Sequence, residues 1–303
     1  MRGLVRELAL ALREDVLPEL GSHAARAHEH GAAAGGDVTF AIDERAERTL
    51  ERFLSGRAPE LAFYSEDRGL VGSDGARGVL VVDPIDGTRP ALAGLESCCV
   101  SVAAAPLPEP TMGDVSVACV VEIPSGAVFL AERGAGLVEG PPVRLSSNAS
   151  LERMFWTYGL RGRPARPTVE VIGDLIDASS VGGASFELGS AAFDMTRIVT
   201  GQLDAYVEPG PRLVEEVPGM RAEFERVGRG AVLNNSPYDL AAAVLVLEEA
   251  GAVVTDACGR SLATRPLLGA GAEFQMSVVA AANERLHRRL LEAVDAGIHR
   301  VSG

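Results

Sequence analysis

The sequence predicts a mixed α/β fold, because two kinds of pattern follow each other along the chain. Apolar runs separated by short turns dominate about residues 1–145, which is typical of an antiparallel sheet. In about residues 146–303, strand-like and helix-like segments alternate, which is typical of a sheet covered by helices. A chain of 303 residues can bury a large core, so we expect both halves to form a single domain.

The first half begins with helical patterns and then turns to strands. Residues 2–20 carry apolar side chains at helical spacing, and a second helix is predicted over 44–54 with Asp43 as its N-cap. His28 and His30 lie between these helices in a stretch rich in Ala and Gly, which we interpret as a loop. The strands predicted after the second helix are 61–64, 79–82, 100–105, 115–122 and 127–132.

The second half has a weaker pattern at its beginning and a strong one at its end. Residues 161–167 are rich in Arg and Pro and predict a surface loop. Residues 209–236 are rich in Pro, Gly, Arg and Glu without apolar periodicity, so we predict a surface insertion that acts as a lid. The remaining segments are a helix from 189 to Gly201, a strand over 203–208, a helix over 240–250, strands over 253–256 and 277–282, and a helix over 284–294.

The composition excludes several classes of function. A net charge of −14 argues against nucleic-acid or anionic-membrane partners, which require a basic face. All 28 basic residues are arginine, so a P-loop kinase and a Schiff-base enzyme are both excluded. The histidines lie only near the two ends, which argues against Ser-His-Asp catalysis in the middle of the chain. The four cysteines have no metal-ligand spacing, and with no signal or membrane segment they predict a cytoplasmic protein.

One motif carries most of the functional information. The apolar run 79–82 ends in Asp83 and Asp86, which lie three positions apart on either side of Pro84 and Ile85. We interpret Pro84 as the end of the strand, which would let both carboxylates converge at its carboxyl end. Gly87-Thr88 then turns the chain, and the free N–H groups of this turn can receive an anion.

A second acid is predicted to join this motif. The strand 61–64 delivers Glu66 just past its end, and ligands from neighbouring strand ends can meet in one crevice. Carboxylates beside anion-binding amides would repel a phosphate unless cations lie between them. The sequence therefore predicts a pair of divalent cations in this crevice.

The residues that carry these predictions resemble the inositol monophosphatase family. The resemblance is carried by Asp83-Pro84-Ile85-Asp86-Gly87-Thr88, by Ser65-Glu66-Asp67 before it and by Tyr238-Asp239-Leu240-Ala241-Ala242 after it. It implies an αβαβα five-layer sandwich with two mixed β-sheets. It also implies a magnesium-dependent, lithium-sensitive phosphomonoesterase.

The resemblance implies the site residues by position. Glu66, Asp83 and the carbonyl of Ile85 would hold a first Mg²⁺, and Asp83, Asp86 and Asp239 a second, with two or three ions in all and Mn²⁺ as an alternative. The implied catalytic residues are Asp83 together with Glu66 and Thr88, which orient the attacking water.

Further roles follow from the same resemblance. The amides of Gly87 and Thr88 would bind the phosphate. The residues implied to contact the rest of the substrate are Gly189, Ser190, Ala191 and Glu208. Asp43 matches an acid near the family's metal site. The resemblance does not extend to 209–236, and Arg212 is instead one of the arginines that the predicted lid would offer to a second anionic group.

Substrate and partners are expected only at the level of class. The family resemblance implies a small phosphorylated metabolite, either inositol monophosphate or a sugar phosphate, and a homodimer. Histidinol phosphate, fructose 1,6-bisphosphate and a 3′-phosphonucleotide remain alternatives, because the resembling family uses all of them. Arg89-Pro90-Ala91 departs from the usual family pattern, and an arginine directly after the motif threonine occurs in family members that act on histidinol phosphate. A non-catalytic regulator that binds metal or a phosphorylated ligand is a second alternative. A haloacid-dehalogenase-type phosphatase is excluded, because it needs acids two positions apart and a lysine.

Overall fold

The strands of the computed structural model form one large sheet, one smaller sheet and a hairpin. The structure describes residues 1–33, 36–72 and 75–303, and the side chains of residues 29–32 are not described. In chain order the strands are β1 (His28–Ala32), β2 (Val38–Phe40), β3 (Ala62–Ser65), β4 (Gly69–Val71), β5 (Gly78–Asp86), β6 (Cys99–Pro106), β7 (Val117–Glu122), β8 (Val128–Glu132), β9 (Gly136–Glu139), β10 (Phe155–Tyr158), β11 (Ala184–Phe186), β12 (Ala205–Glu208), β13 (Val253–Thr255) and β14 (Val278–Ala281). The helices are α1 (Arg2–Val16), α2 (Ala41–Arg57), α3 (Thr88–Ala93), α4 (Ala165–Ser179), α5 (Ala191–Thr200), α6 (Gly210–Glu216), α7 (Met220–Val227), α8 (Pro237–Ala250) and α9 (Glu284–Ser302).

Both larger sheets are mixed. The seven-stranded sheet has the order β4-β3-β5-β6-β7-β8-β9, and the five-stranded sheet has the order β11-β10-β12-β14-β13. β3 and β5 run parallel, whereas β5 and β6 run antiparallel. In the smaller sheet β10 is parallel to β11 and β12, and β14 is antiparallel to β12 and β13. The predicted α/β class with two mixed sheets is confirmed.

The helices and sheets form five layers, which pack together through three apolar cores. Helices α1 and α2 pack on the outer face of the large sheet, where Leu8, Leu12 and Leu50 are fully buried. Helices α5 and α8 fill the space between the two sheets. Helices α4 and α9 cover the outer face of the small sheet. The order of layers is therefore α, β, α, β, α, as the family resemblance implied.

Helix α8 explains why the middle layer is stable. Its apolar residues occupy every side of the helix, and residues 240–247 are all buried. A helix with apolar residues on every side must be buried by other elements of the fold, because no side of it can favourably face water. α8 satisfies this requirement because one sheet lies on each side of it, which also fixes Asp239 in its first turn between the sheets.

Some predicted boundaries were wrong. The strand that carries the acidic motif does not stop at Pro84 but continues to Asp86 through an irregular register with β6. Residues 28–32 form a strand and not a loop, and the side chain of His30 lies outside the described residues. Helix α2 begins at Ala41, so Asp43 lies in its first turn and is not the N-cap. Helix α4 begins at Ala165, inside the range 161–167 that was predicted to be a loop.

The segment 209–236 is not confined to the surface as predicted. It forms α6 and α7, and its apolar side chains pack into the core under the small sheet, with Leu213 and Phe224 fully buried. Only its end, at Leu233, Asn234 and Asn235, lines the cavity beside the acidic motif. The two helices were not predicted because each is shorter than three turns, so its few apolar residues form no visible period in a segment rich in Pro, Gly and Arg.

Within the described residues, no helix combines the length and the apolar sequence needed to cross a membrane.

Candidate active site

The acidic motif lies at the end of β5 in the middle of the large sheet. Asp83 and Asp86 are 2% and 6% exposed. Asp83 faces Ser101 and Asp86 faces Cys99 on β6, so the strand has an extra residue between the two pairs. Such a bulge re-aims side chains at a strand end. It allows the carboxylates to reach the same crevice without ending the strand.

Glu66 reaches this crevice because β3 runs parallel to β5, with Ser65 beside Val82. The turn that follows β3 is held by the buried Glu47 of α2. Glu47 accepts hydrogen bonds from the hydroxyl of Ser65 at 2.9 Å and from the N–H of Asp67 at 3.4 Å. Glu66 itself lines the crevice together with Asp83. The predicted meeting of two strand ends is therefore present in the fold.

Asp239 arrives from the opposite side, in the first turn of α8. Its Oδ2 accepts a hydrogen bond from the N–H of Ser236 at 2.6 Å, which fixes the carboxylate. One carboxylate oxygen from each of Asp83, Asp86 and Asp239 lies within 4.8 Å of the others. These three residues come from two distant parts of the chain, and they form a cluster that could hold a metal ion.

The electrostatics of the crevice favour a cation. Burial raises the pKa of Asp86 to about 6, and burial together with the charge of Asp86 raises the pKa of Asp239 to about 7. Burial and then neighbouring carboxylates raise the pKa of Asp83 and of Glu66 well above their ordinary values. The donors are all hard oxygens, the carbonyl of Ile85 included, and such a set suits Mg²⁺ or Mn²⁺ better than zinc.

Thr88 lies beside the cluster at the beginning of α3. Its hydroxyl is 3.1 Å from Oδ1 of Asp43 and 3.2 Å from the carbonyl oxygen of Ile85. Asp43 is fixed through its other oxygen, which accepts a hydrogen bond from the N–H of Phe40 at 2.8 Å. Burial raises the pKa of Asp43 to about 7. Asp43 therefore both binds the backbone N–H of Phe40, the N-cap residue of α2, and contacts Thr88.

Gly87 permits the sharp turn before Thr88. Its φ is +89°, and a Cβ atom at this position would lie 2.7 Å from the carbonyl oxygen of Ser97 and 2.8 Å from Cβ of Ser190. Only glycine tolerates both the backbone conformation and the close contact. The turn brings Gly87 and Thr88 to the lining of the crevice.

The predicted substrate-contact loop borders the same cluster. Ser190 caps α5, and its hydroxyl donates a hydrogen bond to Oδ2 of Asp86 at 2.8 Å. The N–H of Ala192 donates to the same oxygen at 2.6 Å. Gly189 and Ala191 line the adjoining cavity with Ser190. The loop therefore both orients Asp86 and forms a wall of the space next to it.

Two predicted substrate contacts are not available to a substrate. Glu208 is fully buried, with one oxygen 2.5 Å from Arg163 and the other accepting from the N–H of Gly210 at 2.7 Å. Arg212 is bound to Glu216 at 2.9 Å and to Asp295 of α9 at 2.6 Å. The resemblance implied a role for Glu208 and the predicted lid suggested Arg212, but both charges are balanced inside the protein and neither residue lines the crevice.

Sequence reasoning missed a group of charged residues at the crevice. Asp37 accepts hydrogen bonds from Arg89 at 2.9 Å and from Arg161 at 2.7 Å. Burial would raise the pKa of Asp37, but the two arginines lower it to about 2. Arg161 comes from the segment predicted to be a surface loop. No pattern in the sequence links Arg161 to Asp37 or to the acidic motif, so no sequence signal could have identified this contact.

We predict that the metal-free protein becomes more stable as the pH falls from about 8 to 5. The pKa values of Asp43, Asp86 and Asp239 lie near 6 or 7 in the folded chain, above the unfolded value of about 3.9. The folded state therefore binds more protons than the unfolded state across this range, so the free energy of unfolding rises as the pH falls. Thermal unfolding in EDTA across this pH range tests the prediction.

The control for this prediction is Asp239→Asn, which keeps an acceptor for the N–H of Ser236. The dependence of Tm on pH should be smaller in this variant than in the unmodified chain. An equal dependence in both proteins would contradict the prediction, since it would place the titrating groups elsewhere.

Comparison with known proteins agrees with this geometry. The sequence model of the inositol monophosphatase family matches residues 3–299. The chain is 28% identical to a fructose-1,6-bisphosphatase/inositol-1-monophosphatase of Methanothermobacter thermautotrophicus, over 86% of this chain and 85% of that protein. It is 25% identical to a Nus factor SuhB of Vibrio cholerae, over 79% and 81%. The solved structure of the Thermotoga maritima IMPase is 22% identical, covers 97% of this chain and 96% of that one, and has a TM-score of 0.70, so the two share a fold. Because the family model covers nearly the whole length, the chain belongs to the inositol monophosphatase family.

Proposed function

We propose that this protein is a Mg²⁺-dependent phosphomonoesterase that hydrolyses a small phosphorylated metabolite. The observation that supports the proposal most directly is the cluster of Asp83, Asp86 and Asp239, with three carboxylate oxygens within 4.8 Å of one another. Glu66 and Thr88 line the same crevice. A site for simple metal storage would need the first three residues but not the last two.

The residues present fit a magnesium site. Glu66, Asp83 and the carbonyl of Ile85 would hold one ion, and Asp83, Asp86 and Asp239 would hold another, with Asp83 shared. When bound, such ions lower the pKa of a water and neutralise charge on the phosphate and on the leaving oxygen. Mn²⁺ is an alternative, because it accepts the same oxygen ligands.

Thr88 and Glu66 are proposed to orient the attacking water. The hydroxyl hydrogen of Thr88 is engaged when it points to Oδ1 of Asp43, 3.1 Å away, which leaves an oxygen lone pair free to accept a hydrogen bond from water. Glu66 lines the same crevice, and burial together with neighbouring carboxylates raises its pKa, which makes its carboxylate a stronger general base. Together they would direct the water oxygen at phosphorus.

The remaining residues are proposed to position the substrate. Gly87 and Thr88 line the crevice, and their amides are proposed to donate hydrogen bonds to phosphate oxygens. Gly189, Ser190 and Ala191 would form the wall beside the alcohol part of the substrate. We favour inositol monophosphate or a sugar phosphate, and the family resemblance extends the proposal to lithium inhibition and a homodimer.

The test is phosphate release from four classes of substrate, with Mg²⁺ and with EDTA. The panel contains inositol 1-phosphate, fructose 1,6-bisphosphate, histidinol phosphate and a 3′-phosphonucleotide. We expect release from at least one of them, and a loss of at least about a thousandfold in EDTA, because the carboxylates alone repel the phosphate. Restoring Mg²⁺ after EDTA should restore the rate.

Activity that survives EDTA would contradict the metal dependence. A folded protein that releases no phosphate from any of the four compounds would instead favour a regulator that binds a ligand without hydrolysing it. This second candidate has specific support, because a relative at 25% identity is named as a Nus factor.

A further inference from the structure

Two arginines at the crevice share a single acidic partner. Asp37 Oδ1 accepts hydrogen bonds from Arg89 Nη2 at 2.9 Å and from the N–H of Val38 at 2.7 Å. Its Oδ2 accepts from Arg89 Nη1 at 3.2 Å and from Arg161 Nη1 at 2.7 Å. Two guanidinium groups against one carboxylate leave one positive charge uncompensated within this trio.

Both arginines are fixed by contacts within the protein, but some of their N–H donors have no acceptor among the described residues. Arg89 follows Thr88 in α3, and its guanidinium lies over the ring of Phe40, 5.6 Å from the ring centre. A guanidinium has five N–H donors, and Arg161 uses one of them on Asp37. In the described part of the chain, Nε and Nη2 of Arg161 have no hydrogen-bond acceptor. The side chains of Arg89 and Arg161 are 38% and 41% exposed.

The neighbouring Arg163 has the features expected of a structural arginine. It is 6% exposed, and its guanidinium is paired one to one with the buried Glu208. It also donates to the side chain of Asn235 at 3.2 Å. Arg161 differs in both respects, because it is partly exposed and shares its partner. Arg163 is therefore explained by one buried acid, whereas the charge of Arg161 acts both on Asp37 and on Glu66 and Asp239 at the crevice, where a substrate would bind.

The position of Arg161 suits contact with a substrate. It lines the crevice that contains Asp83 and Thr88, and it also lines the adjoining cavity that contains Ser190. Arg89 lines the first of these. A small metabolite whose phosphate lies beside Thr88 would therefore have both guanidinium groups within reach of its other end.

We propose that Arg89 and Arg161 bind a second anionic group on the substrate, either a phosphate or a carboxylate. The inference rests on the proposed phosphomonoesterase function and narrows its substrate class to compounds with two anionic groups, which favours a sugar bisphosphate or a phosphorylated acid over inositol monophosphate. Guanidinium groups form paired, charge-assisted hydrogen bonds with both kinds of anion. Asp37 is the positioning residue that keeps the two arginines side by side.

The experiment compares two matched pairs of substrates in the presence of Mg²⁺. Fructose 1,6-bisphosphate is paired with fructose 1-phosphate, and 2-phosphoglycerate is paired with β-glycerophosphate. The members of each pair differ mainly in one anionic group, a phosphate in the first and a carboxylate in the second. We expect kcat/KM to favour the doubly anionic member of at least one pair by about tenfold or more. The pair that shows the preference identifies the anion.

Arg161→Gln and Arg89→Gln test the residues separately. Each should lower kcat/KM for the preferred doubly anionic substrate by about tenfold, and lower it for the singly anionic partner by less than about threefold. The control is Arg166→Gln on α4, which removes the same charge from an exposed side chain outside the crevice lining. It should leave the preference unchanged.

Two results would overturn the inference while leaving the proposed function intact. One is hydrolysis by the unmodified protein without preference in either pair. The other is an equal loss of kcat/KM for both members of a pair in both arginine variants. That result would show that the arginines maintain the structure of the crevice and do not bind the second anionic group. Absence of phosphate release from all four compounds, and from the wider substrate panel, would overturn the proposed function itself.

Discussion

Asp83→Asn is expected to lower kcat for phosphate release by about a thousandfold or more. Asp83 is 2% exposed and shares its oxygen cluster with Asp86 and Asp239, while Glu66 also acts on its pKa. It is the residue that the proposed function assigns to both metal ions. An amide oxygen is a neutral and weaker ligand for a hard cation than a carboxylate.

Stability measurements distinguish this loss from unfolding. Asp83 is buried, and its charge is opposed by Glu66, Asp86 and Asp239. Replacing it by asparagine removes that repulsion, so the Tm in EDTA should stay the same or rise, whereas the rise in Tm on adding Mg²⁺ should shrink. The matched control is Asp177→Asn on the exposed side of α4, which should change neither Tm nor kcat. A folded Asp83→Asn protein that keeps a tenth of the activity would show that the assignment is wrong.

The sequence correctly predicted that Glu66 and Asp83 meet, because this part of the site depends only on two adjacent strands running in the same direction. Glu66 and Asp83 follow apolar runs that are short and separated by a glycine-rich loop. Their strands are adjacent and parallel, so the carboxyl ends meet at one edge of the sheet. Asp239 could be placed only through the family resemblance, because no local pattern links the first turn of α8 to the end of β5.

The predictions that failed concern charges that the fold compensates internally. Glu208 ends a strand just as Glu66 follows one, and the two acids are indistinguishable in sequence pattern. The difference is Arg163, which lies 45 residues before Glu208 in the chain and pairs with it in the interior. Arg212 likewise finds Asp295 in the last helix. Such long-range pairs depend on how helices pack on the small sheet, and the sequence around each residue does not contain that information.

Local composition also hid the beginning of α4 and the helices of the segment 209–236, although Arg161 lies in an exposed turn before α4, as predicted. Pro and Arg at the beginning of α4 resemble a loop, although Pro is well tolerated in the first turn of a helix. The apolar residues Leu213, Phe224 and Val232 are too widely separated to form a recognisable stripe, yet each packs into the core under the small sheet. In both cases tertiary packing, and not local propensity, decided the structure.

Thr88→Ala is expected to lower kcat by about a hundredfold or more while changing KM less than about threefold. The hydroxyl of Thr88 lies between Oδ1 of Asp43 at 3.1 Å and the carbonyl oxygen of Ile85 at 3.2 Å. Removing it takes away a group proposed to orient the attacking water, while the amides that bind the phosphate remain. The interaction is therefore lost mainly in the transition state, which lowers kcat and kcat/KM together.

Thr88→Ser separates the hydroxyl from the shape of the side chain. Serine keeps the donor to Asp43 and loses only a methyl group, so it should restore kcat to within about tenfold of the unmodified protein. Steady-state kinetics with a saturating and a limiting substrate concentration give kcat and kcat/KM for both variants. A rise in KM of tenfold or more at unchanged kcat would make Thr88 a ground-state phosphate contact instead. In that case Glu66 alone would have to orient the water, and Glu66→Gln would then lower kcat by more than any change at Thr88.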